Sequence, residues 1–152
     1  MEGIKLITEN LIMEKIDKSL PDPSYAYPGD GGIDLHSSID IKISPLQRVV
    51  IPLGVKIILP WGKVGLIVPK SGLSANQGLS SVNSPGLIDN QYRGEINMVA
   101  YNSNDKSDII IKKGQKVCQL LTIDAPQVNI IFDKVLDNTI RGKNGFGSSG
   151  LE

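Results

Sequence analysis

Glycine and proline interrupt this chain at short intervals, which limits the kinds of fold that it can adopt. The 16 glycines and 9 prolines separate short apolar segments that are rich in Ile, Val and Leu. Short segments of this composition, bounded by turn formers, are typical of β-strands. Residues 39–43 alternate between apolar and polar side chains, as a half-buried strand does. The sequence therefore predicts an all-β fold.

The same pattern locates the individual elements. Further strands are predicted at residues 48–59, 63–68, 96–102, 109–111, 116–123 and 128–135, the first of them broken at residues 52–54. Residues 71–77 are the best helix candidate, with one or two turns at most. A length of 152 residues fits one domain, which we expect to comprise residues 1–136. The glycine-rich residues 137–152 hold too little apolar surface to fold alone and predict a flexible C-terminal arm.

Charge and cysteine content exclude several classes of protein. Sixteen basic residues balance sixteen acidic ones, so no overall field attracts nucleic acid or an anionic membrane. The single cysteine, Cys118, predicts a buried thiol in a reducing compartment. No apolar stretch approaches the roughly 20 residues of a membrane helix, and no targeting segment is evident. We expect a soluble intracellular protein, in the cytoplasm or, in a eukaryote or a virus, the nucleus.

Residues 83–95 form the most informative stretch. Turn formers (Asn, Ser, Pro, Gly) precede a short apolar step, an acid and an aromatic residue, and the predicted strand 96–102 follows. The pattern predicts a β-hairpin that displays polar groups from a rigid frame. Taken alone, Asp89 at the neck of this hairpin is better interpreted as a residue that caps the turn.

The spacing Gly-Leu-Ile-Asp-x-x-Tyr-Arg-Gly at residues 86–94 resembles the third motif of the trimeric dUTP pyrophosphatases, the dUTPases. Four further stretches resemble the other motifs in the same order, at residues 27–35, 69–73, 116–120 and 141–150. The resemblance implies a jelly-roll-like β-barrel that assembles as a homotrimer, with active sites at subunit boundaries. It implies no nucleic-acid or membrane partner.

The resemblance also implies a reaction, the hydrolysis of dUTP to dUMP and pyrophosphate. This reaction limits uracil incorporation into DNA and supplies dUMP for dTMP synthesis. Asp89 would act as the base for a water that attacks the α-phosphorus in line. Tyr92 would pack on the sugar and exclude a ribose 2′-hydroxyl. The uracil would be recognised by the backbone or side chains of Asn83, Gly86, Leu87, Ile88, Asp89 and Asn97.

Other motifs would hold the phosphates and the Mg²⁺ ion that the family requires. Residues 69–73 offer a cation, a hydroxyl and a glycine after a strand, a combination that suits a polyphosphate, although a plain surface loop would look the same. Lys70 stands where the family motif has arginine. Asp34 would contact Mg²⁺ through water. The phosphate and arm contacts implied are Lys70, Ser71, Gly72, Gln119, Arg141, Phe146, Gly147 and Ser148.

Two alternatives stay open at this stage. The dCTP deaminases share the fold, but their version of the hairpin carries a catalytic glutamate where this chain has Val99. A non-catalytic domain that binds nucleotides and regulates a partner is the second alternative. The complete set of Asp34, Asp89 and the glycine-rich arm favours an enzyme over that regulatory module.

Overall fold

The computed structural model describes residues 9–132 and 135–146 of the chain. These residues form one short helix and eleven strands, which confirms the all-β prediction. The elements in chain order are β1 (Ile12–Lys15), β2 (Ile33–His36), β3 (Ile41–Ile43), β4 (Arg48–Pro52), β5 (Val55–Ile58), β6 (Lys63–Pro69), α1 (Ser71–Gln77), β7 (Leu79–Ser81), β8 (Gly86–Ile88), β9 (Asn97–Asn102), β10 (Ile109–Ile111) and β11 (Lys116–Asp124).

The strands pair in four small antiparallel sheets. The largest has the order β2-β11-β6-β8, and a second has the order β4-β9-β7. Two further sheets pair β1 with β5 and β3 with β10. In the largest sheet β11 is central, because it pairs with β2 on one side and with β6 on the other. This arrangement brings three of the predicted motifs to neighbouring strands.

Alternating apolar residues from these strands face a common core. In β9, Met98, Ala100 and Asn102 are buried while the residues between them are half-buried. Leu35, Ile67 and Leu120, on three neighbouring strands, are almost completely buried in the same core. Truncating such a side chain to alanine typically costs about 2–5 kcal/mol. The core therefore fixes the strands that carry the motifs.

Most elements agree with the sequence prediction. Helix α1 spans the predicted residues 71–77, starting after β6 and ending at Gly78, whose left-handed conformation (φ 74°) closes it. The predicted break at residues 52–54 separates β4 from β5. Cys118 is fully buried, as predicted. No helix in the described part of the chain has the length and apolar character needed to cross a bilayer.

The predicted hairpin around Asp89 is wrong in its pairing. Strand β8 pairs with β6, whereas β9 pairs with β4 and β7 in another sheet. The connection between β8 and β9 crosses from one sheet to the other. Just before β9, Ile96 forms two backbone hydrogen bonds at the turn that joins β4 to β5. Its N–H donates to Val55 O at 2.9 Å, and Leu53 N donates to Ile96 O at 3.0 Å. Partner choice between distant strands is not encoded in the local turn pattern.

The strand predicted at residues 128–135 is also wrong for its described part. Residues 128–132 have no regular secondary structure, and residues 133–134 lie outside the described residues. The apolar side chains of this segment are mostly exposed, and they are Val128, Ile130, Ile131 and Phe132. A strand needs a neighbour to satisfy its backbone groups, and no described strand pairs with this segment.

Candidate active site

The sheet order places one set of predicted residues side by side. In the pairing of β11 with β2, Gln119 lies opposite Asp34. On the other side of β11, Cys118 lies opposite Pro69, and Lys70 follows directly. The Lys70 N–H donates to Val117 O at 3.0 Å, which holds the start of the following loop against β11. Three motifs that are distant in sequence therefore meet at one edge of the sheet.

These residues form a buried charge cluster, which we call the Asp34 cluster (Asp34, Lys70, Lys116 and Gln119). The Asp34 side chain has no exposed surface. Lys70 Nζ lies 2.6 Å from Asp34 Oδ1, and Lys116 Nζ lies 2.7 Å from Oδ2. The Gln119 Nε2 amide donates to Oδ1 at 3.1 Å. Both lysines are partly exposed, so the carboxylate orients two ammonium groups at the protein surface.

The cluster keeps its carboxylate ionised. Burial raises the pKa of the Asp34 carboxyl, but the contacts from Lys116, Lys70 and Gln119 outweigh it and hold the pKa below its ordinary value. Burial and the Lys116 charge lower the pKa of the neighbouring His36. Burial, with the charge of Asp34, raises the pKa of Cys118 to about 12. Cys118 is therefore a neutral thiol and a poor nucleophile at pH 7.

The Asp34 cluster leaves one acceptor position for an ion-bound water. Lys70 Nζ lies 2.6 Å from Oδ1 and Lys116 Nζ lies 2.7 Å from Oδ2, but Oδ2 is a buried acceptor with no hydrogen-bond partner among the described residues, so a water on a cation could donate to it. Within residues 9–132 and 135–146, no group of three or more His, Cys, Asp or Glu side chains converges. A Mg²⁺ ion held by the protein alone normally has carboxylate ligands available.

Ser71 and Gly72 lie beside the cluster at the start of α1. Both residues are exposed, and a Cβ placed on Gly72 would meet no atom within 4 Å. On the other side, Gly32 packs against Gln119: a Cβ at Gly32 would lie 3.0 Å from Gln119 Cβ and 3.3 Å from Nε2. The cluster thus has open backbone on one side and a close-packed glycine that supports the Gln119 amide on the other.

A second set of predicted residues lines a separate hollow, which we call the Asp89 pocket. Its volume is about 230 Å³, and it is lined by Leu87, Ile88, Asp89, Tyr92, Glu95 and Asn97. Asp89 is exposed, and no ion pair among the described residues involves it. The carboxylate is therefore accessible to a small molecule or a water.

One backbone carbonyl organises the polar wall of this pocket. Glu95 O accepts hydrogen bonds from Tyr92 Oη at 3.0 Å and from Asn97 Nδ2 at 2.8 Å. Glu95 Oε1 accepts from Gly54 N at 2.9 Å, which fixes Glu95 itself. The Tyr92 N–H donates to Asp89 O at 3.0 Å, closing the turn that carries the acid. The pocket is consequently a hydrogen-bonded unit rather than a loose loop.

Asn83 and Gly86 lie next to the pocket rather than in its wall. The Asn83 amide packs over Gly86, where a Cβ would lie 3.3 Å from Asn83 Nδ2. Ser81 Oγ donates to Asn83 O at 3.0 Å. These contacts hold the turn before β8, so the backbone of β8 runs from the Asn83 amide to the Asp89 pocket.

The Asp34 cluster and the Asp89 pocket lie toward opposite ends of β6. Ile88, just before Asp89, pairs with Gly65, whereas Lys70 follows the other end of the strand. Lys70 lies five positions beyond Gly65, a span of roughly 16 Å along an extended chain. A single described chain therefore does not bring Asp89 to the lysines of the cluster.

The described part of the predicted arm makes no hydrogen bond or ion pair with either set. Arg141 and Phe146 are exposed in the segment 135–146, where Arg141 Nε donates to Asn144 O at 3.1 Å. Gly147 and Ser148 fall outside the described residues. The structure therefore brings Asp34, Lys70 and Gln119 together, and separately Asp89, Tyr92 and Asn97, but does not place the arm on either set.

Two residues of the site were missed by the sequence analysis. Lys116 contacts Asp34 although it stands out of register, because a bulge interrupts the β11 to β2 pairing between Lys116 and Cys118. Its place in a quoted motif was the available signal. Glu95 organises the pocket through its backbone carbonyl, and no side-chain pattern indicates such a role.

Comparison with protein families identifies the family of this chain. The family model for dUTPase matches residues 18–150, which include the Asp34 cluster and the Asp89 pocket. The chain belongs to the dUTPase family. The resemblance drawn from the five motifs is thereby confirmed.

Relatives within the dUTPase family align with almost the whole chain. The deoxyuridine 5′-triphosphate nucleotidohydrolase of Corynebacterium glutamicum is 43% identical over 136 residues, covering 90% of this chain and 91% of that protein. The protein of the same name from Mycobacterium bovis is 40% identical over 149 residues, covering 95% of this chain and 97% of that protein. The shared length includes both halves of the site.

Solved dUTPase structures have the same fold. The dUTPase of Staphylococcus bacteriophage 80alpha with dUPNHPP superposes with a TM-score of 0.82 at 24% identity, covering 95% of this chain and 100% of that one. A mutant dUTPase from phage phi11 of S. aureus, described with a structural Mg(II) ion, gives a TM-score of 0.78 at 20% identity, covering 86% and 100%. The likeness confirms the predicted jelly-roll-like β-barrel class.

Proposed function

We propose that this protein hydrolyses dUTP to dUMP and pyrophosphate. The observation that carries the proposal is the dUTPase family match over residues 18–150, because this span contains both a cationic cluster and an accessible carboxylate. The relatives that align over this span are named deoxyuridine 5′-triphosphate nucleotidohydrolases. Because the substrate is an intracellular nucleotide, we place the activity in the cytoplasm.

The Asp34 cluster is the proposed phosphate site. Lys70 and Lys116 are partly exposed ammonium groups held 2.6 and 2.7 Å from one buried carboxylate. An ammonium has three N–H donors, so either lysine can donate to a phosphate oxygen while it stays paired with the buried Asp34 carboxylate. Ser71, Gly72 and the Gln119 amide add neutral donors beside the cations. This arrangement suits the spread of negative charge on a triphosphate.

Asp89 is the proposed general base. Its exposed carboxylate accepts a proton from a water as the water oxygen attacks the α-phosphorus. The bond from the α-phosphorus to the bridging oxygen breaks in the same step, and pyrophosphate leaves with the bonding electrons. The lysines of the phosphate site stabilise the charge that develops on this leaving group. No covalent intermediate is required.

The Asp89 pocket and the adjoining β8 backbone are the proposed base and sugar site. Backbone groups of Gly86, Leu87 and Ile88, together with the Asn83 and Asn97 side chains, offer donors and acceptors to uracil. Cytosine would leave groups unpaired, at a cost of about 1–3 kcal/mol for each buried mismatch. The Tyr92 ring would pack on the deoxyribose and leave no room for a 2′-hydroxyl.

We further propose a homotrimer that completes each site from three chains. The roughly 16 Å between Gly65 and Lys70 along β6 separates Asp89 from the cluster within one chain. A cluster from one subunit would face the Asp89 pocket of a second. The exposed apolar segment 128–132 would be covered by a neighbouring subunit. The arm, residues 137–152 beyond the domain of residues 1–136, would close the site through Arg141, Phe146, Gly147 and Ser148.

Mg²⁺ is proposed to enter as the complex with dUTP. Mg²⁺ bound to the triphosphate would supply neutralisation of the phosphate charge, while Lys70 and Lys116 would hold the phosphate oxygens. Within the described residues no group of three or more His, Cys, Asp or Glu side chains converges. The water-mediated contact from Asp34 to the ion stays a prediction, and Oδ2, which accepts no hydrogen bond from the described residues, is the atom available for it.

The direct test is pyrophosphate release with Mg²⁺ from dUTP, dCTP, dTTP and UTP at equal concentrations. We expect turnover of dUTP alone. Turnover of dCTP, with release of ammonia, would replace the proposal with deamination. Binding of dUTP without turnover of any of the four nucleotides would replace it with a regulatory nucleotide-binding module.

A further inference from the structure

Tyr92 packs directly on the backbone of Gly94. A Cβ placed on Gly94 would overlap the Tyr92 hydroxyl and would lie 2.5 Å from Cζ and 3.0 Å from Cε2 of the same ring. Carbon atoms that are not bonded do not approach this closely. Any residue other than glycine at this position must therefore displace the tyrosine ring or the backbone.

Although Tyr92 is 43% exposed, one hydrogen bond holds the tip of its ring and two hold its backbone. Tyr92 Oη donates to Glu95 O at 3.0 Å, and the Tyr92 N–H donates to Asp89 O at 3.0 Å. Arg93 Nη1 donates to Tyr92 O at 2.9 Å. The atoms that a Cβ would meet belong to a rigid aromatic ring rather than to a flexible chain end. Displacing the ring therefore breaks the bond to Glu95 O.

The backbone conformation of Gly94 does not itself call for glycine. Other glycines of the chain, such as Gly54 (φ 67°) and Gly78 (φ 74°), adopt the left-handed region, but the φ of Gly94 lies outside it. The requirement at position 94 is consequently steric. It comes from the ring of Tyr92 and not from the turn.

Gly94 also lies behind the wall of the pocket rather than in it. Tyr92 and Glu95 line the Asp89 pocket, whereas Gly94 does not. A substitution at Gly94 would therefore reach a bound nucleotide only through Tyr92. Because the ring is part of the wall, its displacement would change the shape of the pocket next to Asp89.

We propose that Gly94 is a specificity-determining positioning residue. Its missing side chain allows the hydroxyl end of the Tyr92 ring to lie against Gly94 and the ring to form the wall that meets the sugar. A side chain at this position relaxes the preference for deoxyribose over ribose. The inference rests on the proposed function, since it assumes that a deoxyuridine nucleotide occupies the Asp89 pocket.

The test is a double-mutant cycle on the full-length protein. We expect Gly94→Ala to lower the preference for dUTP over UTP, measured as the ratio of kcat/KM values, by about tenfold. Tyr92→Ala removes the ring, so adding Gly94→Ala to it should change the ratio no further. Binding of dUMP and UMP to the same four proteins by calorimetry gives a second reading that does not depend on turnover.

Gly31→Ala is the matched control. A Cβ at Gly31 would meet no atom within 4 Å, and its φ also lies outside the left-handed region, so this variant should keep the preference of the wild type. An unchanged ratio in Gly94→Ala, or the same loss with and without the Tyr92 ring, would overturn the inference. If Gly94→Ala does not fold, the double variant should fold, and its failure would also overturn it.

The proposed function and the inference fail in different ways. A wild-type protein that binds dUMP in preference to UMP but turns over no nucleotide contradicts the hydrolase while leaving Gly94 to be judged by binding. A wild-type protein that turns over dUTP and whose Gly94→Ala variant keeps full preference contradicts only the inference. A wild-type protein that binds dUMP and UMP equally contradicts the inference, whatever its turnover.

Discussion

Two acidic residues, Asp34 and Asp89, lie toward opposite ends of β6 and have opposite surroundings. At one end Asp34 is completely buried, and both of its oxygens contact ammonium groups of the same chain. Toward the other end Asp89 is exposed, and the described residues give it no ion pair. A buried charge must be paired when the chain folds. An exposed charge is solvated by water and can stay unpaired until a substrate binds. We propose that the Asp34 cluster is a preorganised receptor for anions and that the Asp89 pocket is the reaction centre, completed when substrate binds.

The largest effect should come from Asp89→Asn. The amide keeps the size of the side chain but cannot accept a proton from water, so kcat for pyrophosphate release should fall about 1,000-fold. Binding of dUpNHpp and the thermal unfolding temperature should be nearly unchanged, because the side chain is exposed. Asp105→Asn, at another exposed acid, is the control and should keep full turnover. A comparable loss in Asp105→Asn would show that the effect is not specific to Asp89.

The next prediction concerns the Asp89 pocket, which we propose is completed by residues of other chains. Deletion of residues 141–152 should leave a folded trimer whose turnover is lower by about 100-fold, since the arm is proposed to exclude water and hold the phosphates. Mixing this variant with Asp89→Asn after reversible unfolding should then restore activity. Each mixed trimer would contain one site with an intact Asp89 from one chain and an intact arm from another.

The mixing result separates shared sites from sites within one chain. If each chain supplied its own Asp89 and its own arm, no mixture of the two variants would contain an intact site. Activity that stays at the sum of the two separate proteins would therefore contradict the shared arrangement. Light scattering on each variant checks that both assemble, so that a lack of assembly is not mistaken for a lack of complementation.

Asp34→Asn tests how much the Asp34 cluster contributes to stability. It leaves Lys70 and Lys116 without their counter-charge, and the free energy of unfolding in urea should fall by about 1–3 kcal/mol. The loss is moderate because both lysines are partly exposed and can be rehydrated. Asp22→Asn removes an exposed acid that pairs with Lys15 and should have a much smaller effect. Equal losses in the two variants would show that burial of Asp34 is not what stabilises the cluster.

The sequence predicted the strands around the Asp34 cluster better than those around the Asp89 pocket. Lys70 follows the end of β6 and Gln119 lies within β11, and strand order brings them together once β11 pairs with β2 and β6. The pairing of β8 with β6 was not predictable, because a turn pattern does not specify a partner 20 residues away. The exposed segment 128–132 looked like a strand because its composition is that of a strand, but strand formation also requires a neighbour.

Lys116 illustrates a further limit of the sequence. Strict alternation along β11 would not indicate its contact with Asp34, since the bulge between Lys116 and Cys118 changes the register there. A bulge is decided by packing across the sheet and leaves no local signal in this segment. The motif showed that the stretch mattered, while only the structure assigned Lys116 to the same carboxylate as Lys70.

Gly32→Ala should have a smaller effect, confined to the Asp34 cluster. The new Cβ would lie 3.0 Å from Gln119 Cβ, so the Gln119 amide must move and its bond to Asp34 Oδ1 lengthens from 3.1 Å. We expect the KM for dUTP to rise about fivefold with little change in kcat, because one neutral donor to phosphate is displaced. Gly31→Ala, next in sequence and free of contacts, is the control. An unchanged KM in Gly32→Ala would remove Gln119 from the proposed phosphate site.

The smallest effect is a dependence of folding stability on pH, which comes from His36 and Asp34. Burial lowers the pKa of His36 from 6.5, and the Lys116 and Lys15 charges lower it further, against an opposing effect of Asp34. The unfolded chain therefore binds a proton more readily than the folded one. Stability due to neutral His36 is complete above pH 6.5 and falls as the pH is lowered from that value toward the depressed pKa. The lowered pKa of Asp34 acts in the same direction, but only below its ordinary value of 3.8.

The two pH windows can be separated by substitution at His36, the only histidine of the chain. Urea unfolding of the wild type should show a free energy that declines between pH 7 and pH 5. In His36→Gln, whose side chain does not titrate, this decline should disappear, while the loss below pH 4 remains because Asp34 is still present. If the variant loses stability between pH 7 and pH 5 as steeply as the wild type, the buried neutral imidazole beside Lys116 is not the source of the dependence.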